Sequence, residues 1–187
     1  MLFRSGPQAH GIRLAAHPCM FTGRPQHLRT FDYLGLHRYF LTFATHERSR
    51  LFVSADRVGS VYSQFLRAAA DSHVAILAYC FMPDHVHLLT EGQSEDSDAR
   101  RFIVHAKQLS GFHFKKQFGR QLWQRYGFER TLRVSEPTLC VARYTLENPV
   151  RAGLVTRVQD YPFLGSNVYT VEEILEAVQM DDGWHAR

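Results

Sequence analysis

Between Arg38 and Thr45 the chain reads Arg-Tyr-Phe-Leu-Thr-Phe-Ala-Thr, an aromatic and β-branched run that predicts a first core strand. The rhythm then changes: behind Ser54, a good N-cap, Val58, Val61, Tyr62, Phe65, Leu66 and Ala69 recur at helical spacing and predict a helix over 55–71. A continuous apolar stretch predicts a strand over 73–82, Pro83-Asp84 turns the chain, and Val86, Leu88 and Leu89 mark a returning strand. Phe102, Ile103, Ala106, Leu109, Phe112 and Phe114 predict a second helix over 96–118, with Gly111 a place for a bend. Residues 122–134 alternate as a fourth strand would, with Gly127 a candidate bulge. Ser135-Glu136-Pro137 announces another helix, which should stop where Asn148 meets Pro149 because proline disfavours helical geometry in the residue before it. Gly153 then closes a short turn, Tyr161-Pro162-Phe163 packs as a loop, and a last helix covers 171–180.

This order, β, α, β-β, α, β, α, predicts an α+β domain: an antiparallel four- to five-stranded sheet with helices on one face, of the split βαβ or ferredoxin-like kind. No G-x-G-x-x-G follows a strand, which argues against a doubly wound dinucleotide fold. The organisation expected is an arm over 1–28, rich in Gly and Pro and without periodicity, a main domain over 29–168, and a C-terminal helix with an acidic tail over 169–187. A chain of 187 residues buries about 70% of its unfolded surface, so one core suffices.

Charge alters this picture, because it is unevenly spread. Between 100 and 130 there are eight Lys or Arg against the single acid Glu129, whereas 159–187 holds six acids and one Arg. Such a concentration suits a polyanion-binding face, and Lys107, Lys115, Lys116, Arg120 and Arg125 are its candidates; a solvated basic helix is the plainer explanation. Cys19, Cys80 and Cys140 are odd in number, far apart and in no C-x-x-C pair, so a reduced, cytoplasmic protein is expected. No apolar run of membrane-spanning length and no export signal is visible, and Cys19 with His17 and His27 makes a poor metal site.

The candidate chemistry begins at His85-Val86-His87. On a strand these imidazoles share one face, where they are either two donors for a phosphate or two ligands for a metal. Taken alone the pair is equally a feature of a partly exposed sheet face; rigid placement behind a core strand and a Pro-Asp turn favours function. Tyr144 and Asn148, four residues apart, share a helix face. If that helix crosses the histidine face, a phenol and an amide oxygen converge with two imidazoles, a set suited to Mg²⁺ or Mn²⁺ with open positions for phosphate oxygens. A tyrosine attacking a phosphodiester conserves the bond energy in phosphotyrosine, so rejoining needs no ATP. Tyr144 is otherwise a core tyrosine and Asn148 a helix end. Trp123, Tyr126 and Phe128 are candidate stacking platforms for unpaired bases, although Trp123 and Tyr126 fall on opposite strand faces, so one of them belongs to the core. Arg151 either touches phosphate or closes the helix end.

The runs Met82-Pro83-Asp84-His85-Val86-His87-Leu88-Leu89, Leu122-Trp123-Gln124 and Tyr144-Thr145-Leu146-Glu147-Asn148-Pro149-Val150-Arg151-Ala152-Gly153-Leu154-Val155 resemble the single-tyrosine HUH transposases, above all their REP-associated branch, over about residues 30–168. The resemblance implies the HUH endonuclease type of sheet. It also implies a metal-dependent DNA nickase and strand transferase on single-stranded hairpin DNA, leaving a 5′-phosphotyrosine and a free 3′-hydroxyl. Position by position, His85 and His87 would be the metal ligands, Tyr144 the nucleophile and Asn148 the residue completing the metal site. In mobile insertion-sequence relatives that last position is typically glutamine; the shorter Asn148 allows a water to intervene, and Glu147 is a neighbouring competitor. Relatives act as monomers or homodimers. The competing readings are a domesticated hairpin nucleic-acid binder with little or no catalysis, and a small-phosphoester hydrolase, which would want an acidic pocket instead of basic surroundings.

Overall fold

The computed structural model describes residues 33–125, 128–132 and 136–182. The expected arm over 1–28, the candidate metal site of Cys19, His17 and His27, Tyr126, the Gly127 bulge and Ser135 lie outside these, and so do the side chains of 128–130 and 177–182.

The elements are β1 (Arg38–Ala44), α1 (Ala55–Asp71), β2 (Val74–Met82), β3 (His85–Gly92), α2 (Ala99–Phe118), β4 (Phe128–Thr131), α3 (Thr138–Leu146), α4 (Asn148–Arg151), β5 (Leu164–Gly165) and α5 (Val171–Asp182). The strands form one antiparallel sheet in the order β4-β1-β3-β2-β5, so the histidine strand β3 is central. The α+β class is as expected, and the fifth strand comes from the stretch read as a loop. Phe81 donates its N–H to the Phe163 carbonyl at 2.8 Å and the Tyr161 hydroxyl donates to the Phe81 carbonyl at 2.7 Å, which straps this segment to the sheet edge.

Helices cover both faces, not one. Alternation sends Tyr39, Leu41, Phe43, Val86 and Leu88 to one side, where α1 and α2 supply Val61, Phe65, Phe102 and Phe114. The intervening positions Phe40, Ala75, Leu77 and Leu89 face Val141, Ala142 and Leu146 of α3 and Ile174 of α5. The register of β2 against β3 shifts between Ile76 and Ala78. Because of this bulge, Leu77 and Ala78 both turn toward α3, and downstream Phe81 enters the α1 side.

The fourth strand is far shorter than 122–134. Leu122 and Trp123 are both buried in the same core, which strict alternation forbids, and Trp123 forms only an isolated bridge with Thr45. Phe112 also departs from expectation: it is 65% exposed. The buried row of α2 is Phe102, Ala106, Ser110 and Phe114 at spacings of four, and Phe112, two residues off that row, points away from it. The helix starts at an Asp98 cap, whose carboxylate accepts from the Arg101 N–H at 2.8 Å, and stops at Gly119, whose φ of 68° suits glycine.

Candidate nucleophile and metal-ligand site

His85 and His87 stand on the α3 side of β3, half-buried, with His87 directly across from Thr42 of β1 and Cys80 of β2. Each ring is held from behind. His85 Nδ1 lies 2.6 Å from Asp84 Oδ1, and His87 Nδ1 lies 2.9 Å from Thr42 Oγ1. A carboxylate partner requires a proton on His85 Nδ1, which leaves a lone pair on the other nitrogen when the ring is neutral. The two Nε2 atoms face each other at 3.1 Å. Burial drives the His87 pKa down to about 3, helped by the neighbouring His85 ring and the guanidinium groups of Arg151 and Arg48. His87 is therefore neutral at ordinary pH, the state a metal ligand needs.

Two nitrogens bound at about 2.1 Å and at right angles around one ion lie about 3.0 Å apart, so the observed pair fits a shared cation. Among the described residues no third His, Cys, Asp or Glu joins them. Among these residues, a further protein ligand would be a neutral oxygen.

Above this face lies α3, whose Leu146, Ala142 and Val141 pack against Phe40, Leu89 and Ala78. Its expected end at Asn148-Pro149 is a break followed by resumption: Glu147 is a turn and α4 runs on through Pro149. Proline has no N–H for the Thr145 carbonyl. The Asn148 side chain supplies the missing donor, its Nδ2 lying 3.0 Å from Thr145 O and 3.2 Å from Tyr144 O. Facing two carbonyls, the amide must present its nitrogen to them, which leaves Oδ1 as the end available to a cation. Gly153, with φ 68°, closes α4 as Leu154 N bonds Pro149 O at 2.9 Å.

The Tyr144 ring is linked to the histidines through Phe40, which stacks on His87 at 5.4 Å and meets Tyr144 edge-on at 6.3 Å. Arg151 Cζ sits 3.8 Å from the Tyr144 ring centroid. Glu147, the possible competitor for the metal, is instead taken by arginines, with Arg143 Nε at 2.7 Å and Arg151 Nη1 at 3.4 Å. Tyr144 thus lies over the sheet of its own chain.

The basic residues are only partly gathered here. Lys107, Lys115 and Lys116 belong to α2, across the sheet from the histidines, and Lys107 bonds the carbonyls of Gln124 and Arg125 at 3.1 and 3.2 Å. Arg120 and Arg125 are exposed on the following loop. Trp123 is corrected outright: it is buried, stacks with Phe65 at 6.0 Å and donates Nε1–H to Ser110 Oγ at 2.9 Å, so no base can reach it. The sequence reading overlooked Asp84, Thr42 and Arg48. Arg48 lies 3.6 Å from Asp84 Oδ2, on a loop stitched to the hairpin turn by Thr45 N to Asp84 O at 2.9 Å and Phe52 N to Pro83 O at 3.0 Å. Its signal was the Arg48-Ser49-Arg50 run between a strand and a helix, next to the turn only in space.

The sheet thus sets paired histidines on the face covered by the tyrosine-bearing helix. The chain belongs to the family described as Transposase IS200 like, whose family model matches residues 34–140, a span that holds both histidines and ends before Tyr144. A Haemophilus influenzae protein whose name assigns it to the REP-associated tyrosine transposases is 25% identical over 136 residues, covering 67% of this chain and 77% of its own. Among solved structures, a REP-associated tyrosine transposase bound to a REP hairpin matches with TM-score 0.60 and 22% identity, over 78% of this chain and 82% of that one. A transposase from Deinococcus radiodurans matches with TM-score 0.45 and 23% identity over 69% of this chain and 97% of that one. No helix among the described residues is long and apolar enough to cross a membrane.

Proposed function

We propose that the protein is a metal-dependent nickase and strand transferase for single-stranded hairpin DNA, working through a 5′-phosphotyrosine at Tyr144. The observation that carries this reading is one shared face: two imidazole Nε2 atoms 3.1 Å apart, with Tyr144 above them and joined to them through the Phe40 ring. The hairpin held by the structural neighbour supports the choice of substrate.

His85 and His87 would hold the ion, with Asn148 Oδ1 or a water it orients completing the site. Bound Mg²⁺ or Mn²⁺ would supply Lewis-acid polarisation of a phosphate oxygen. The chain's own residues do the rest. Asp84 and Thr42 fix the two rings from behind. Tyr144 Oη forms a bond to phosphorus while the bond from phosphorus to the 3′ oxygen breaks; the phenol proton passes to solvent and the leaving oxygen takes one up as a 3′-hydroxyl. Reversal with a different 3′-hydroxyl is strand transfer. Exposed Arg120 and Arg125 would meet the DNA backbone. With the tyrosine over its own sheet, a cytoplasmic monomer suffices, and a homodimer would carry two complete sites.

The test is a labelled single-stranded hairpin from repeats flanking the gene, incubated with Mn²⁺ or EDTA and run on a denaturing gel. A metal-dependent covalent adduct, absent in Tyr144→Phe, is expected. Tight binding without any adduct would replace this reading with a domesticated hairpin binder.

A further inference from the structure

The tyrosine helix is interrupted close to Tyr144. Pro149 removes the backbone donor for the Thr145 carbonyl within a turn and a half of Tyr144, so the continuation past the break rests on side chains. Three charged side chains at spacings of four span the break. Arg143 Nε lies 2.7 Å from Glu147 Oε1, and Glu147 Oε2 lies 3.4 Å from Arg151 Nη1. Arg151 then reaches back to the nucleophile's own residue twice: Nη2 donates to the Tyr144 carbonyl at 2.5 Å, and Cζ lies 3.8 Å from the ring centroid. The Tyr144 ring is therefore bounded on one face by a guanidinium and met by the Phe40 ring at 6.3 Å.

We propose that Arg151, clamped by Glu147, is the positioning residue of Tyr144, holding the phenol ring at the angle from which its oxygen attacks the scissile phosphate. The inference rests on the reading of Tyr144 as the nucleophile. Misplacing a reacting atom by 1 Å costs about 100-fold in rate, so a ring free to turn beside a helix break loses most of its reactivity. A cation on the ring face is also drawn to an electron-rich phenolate more strongly than to a phenol, so its hold tightens as the proton departs. Arg143 and Glu147 are three-quarters or more buried at their side chains, with 21% and 24% exposure, and Arg151, at 38%, is the more open end of the chain of ion pairs.

The experiment measures single-turnover adduct formation and hairpin affinity separately, in the full chain with Mn²⁺, for Arg151→Gln, Arg151→Lys, Arg151→Ala and Glu147→Gln. Expected is a rate about 10- to 100-fold lower in Arg151→Gln with hairpin Kd within about threefold of the parent. A smaller loss is expected in Glu147→Gln, with partial recovery in Arg151→Lys and rescue of Arg151→Ala by guanidinium but not urea. An unchanged rate, or a loss wholly in Kd, overturns the proposal. Independently of catalysis, fluorotyrosine is incorporated and the ¹⁹F resonance missing from Tyr144→Phe is followed in the metal-free protein. It should move toward the free-tyrosine position in Arg151→Gln and Glu147→Gln. If it stays, the positioning role is refuted even where no adduct forms in the parent, whereas an absent parental adduct with a moving resonance refutes the nucleophile and leaves the clamp standing.

Discussion

The two faces of this sheet are built from the same strands, one residue in two for each, and they serve opposite ends. Toward α1 and α2 the rings of Phe43, Phe52, Phe65, Phe81 and Trp123 meet at 5.1 to 6.0 Å in stacked, tilted and edge-on contacts. Toward α3, beside Phe40, Leu77 and Leu89, stand small or polar positions: Ala75, Ala78, Cys80, Thr42 and the two histidines. Small residues let α3 lie close, and each imidazole has a partner behind it. The lesson is a division of labour: one face supplies the stability that allows the other to hold polar groups at fixed spacing.

The contrast can be broken first at Tyr144. Tyr144→Phe should abolish the covalent adduct while moving the unfolding free energy by less than about 1 kcal/mol, as read by gel and by urea denaturation. The reverse holds for Phe65→Ala: a loss of about 3–5 kcal/mol in urea, since the ring is fully buried among three aromatics. Asp84→Asn should separate the histidines' orientation from their presence. Mn²⁺ affinity measured calorimetrically should fall about 10- to 100-fold with little change in stability, and an unchanged affinity would mean that Asp84 does not set the His85 ring.

The last contrast is one of pH, in EDTA. His87 titrates near 3 when folded and near 6.5 when unfolded, so the unfolded chain binds more protons between those values. Its contribution is complete above about pH 6.5 and is lost as pH falls toward 3, by about 1.4 kcal/mol per unit. In His87→Gln that part of the slope should vanish, and a slope equal to the parent's would show that acid destabilisation arises elsewhere.

Much of this was legible from spacing. The helix Ala55–Asp71 and the hairpin of β2 and β3 follow from strong, local periodicities, and Pro83-Asp84 marks the turn between them. The placement of helices on both faces was not legible, because α3 could bury its apolar stripe against either side. Charge misled for a related reason. The basic run over 100–130 is dense in the chain, yet Lys107 of α2 faces backbone carbonyls of the loop after its helix, while Arg48, from another segment, lies beside Asp84. Trp123 carried a plausible function until its neighbours were known: Ser110, its hydrogen-bond partner, is 13 residues away in a helix whose apolar positions did not include it. The clamp on Tyr144 was half visible. Arg143, Glu147 and Arg151 sit at spacings of four, but only the continuation of the helix past Pro149 brings the third of them back over the ring.

The extra residue at Leu77 acts on β2 as a change of phase. Before it, Val74 and Ile76 address the α1 side; after it, Tyr79 and Phe81 do, so even and odd numbers exchange meaning in the middle of a strand. Deleting that one residue would leave every other side chain on its present face, since Ile76 stays across from Thr90 and Ala78 across from Leu89, and Phe81 keeps its place opposite Val86. A relative whose strand lacks the bulge would therefore align with this one only through a gap at that point; without it, the residues of one face are matched to those of the other.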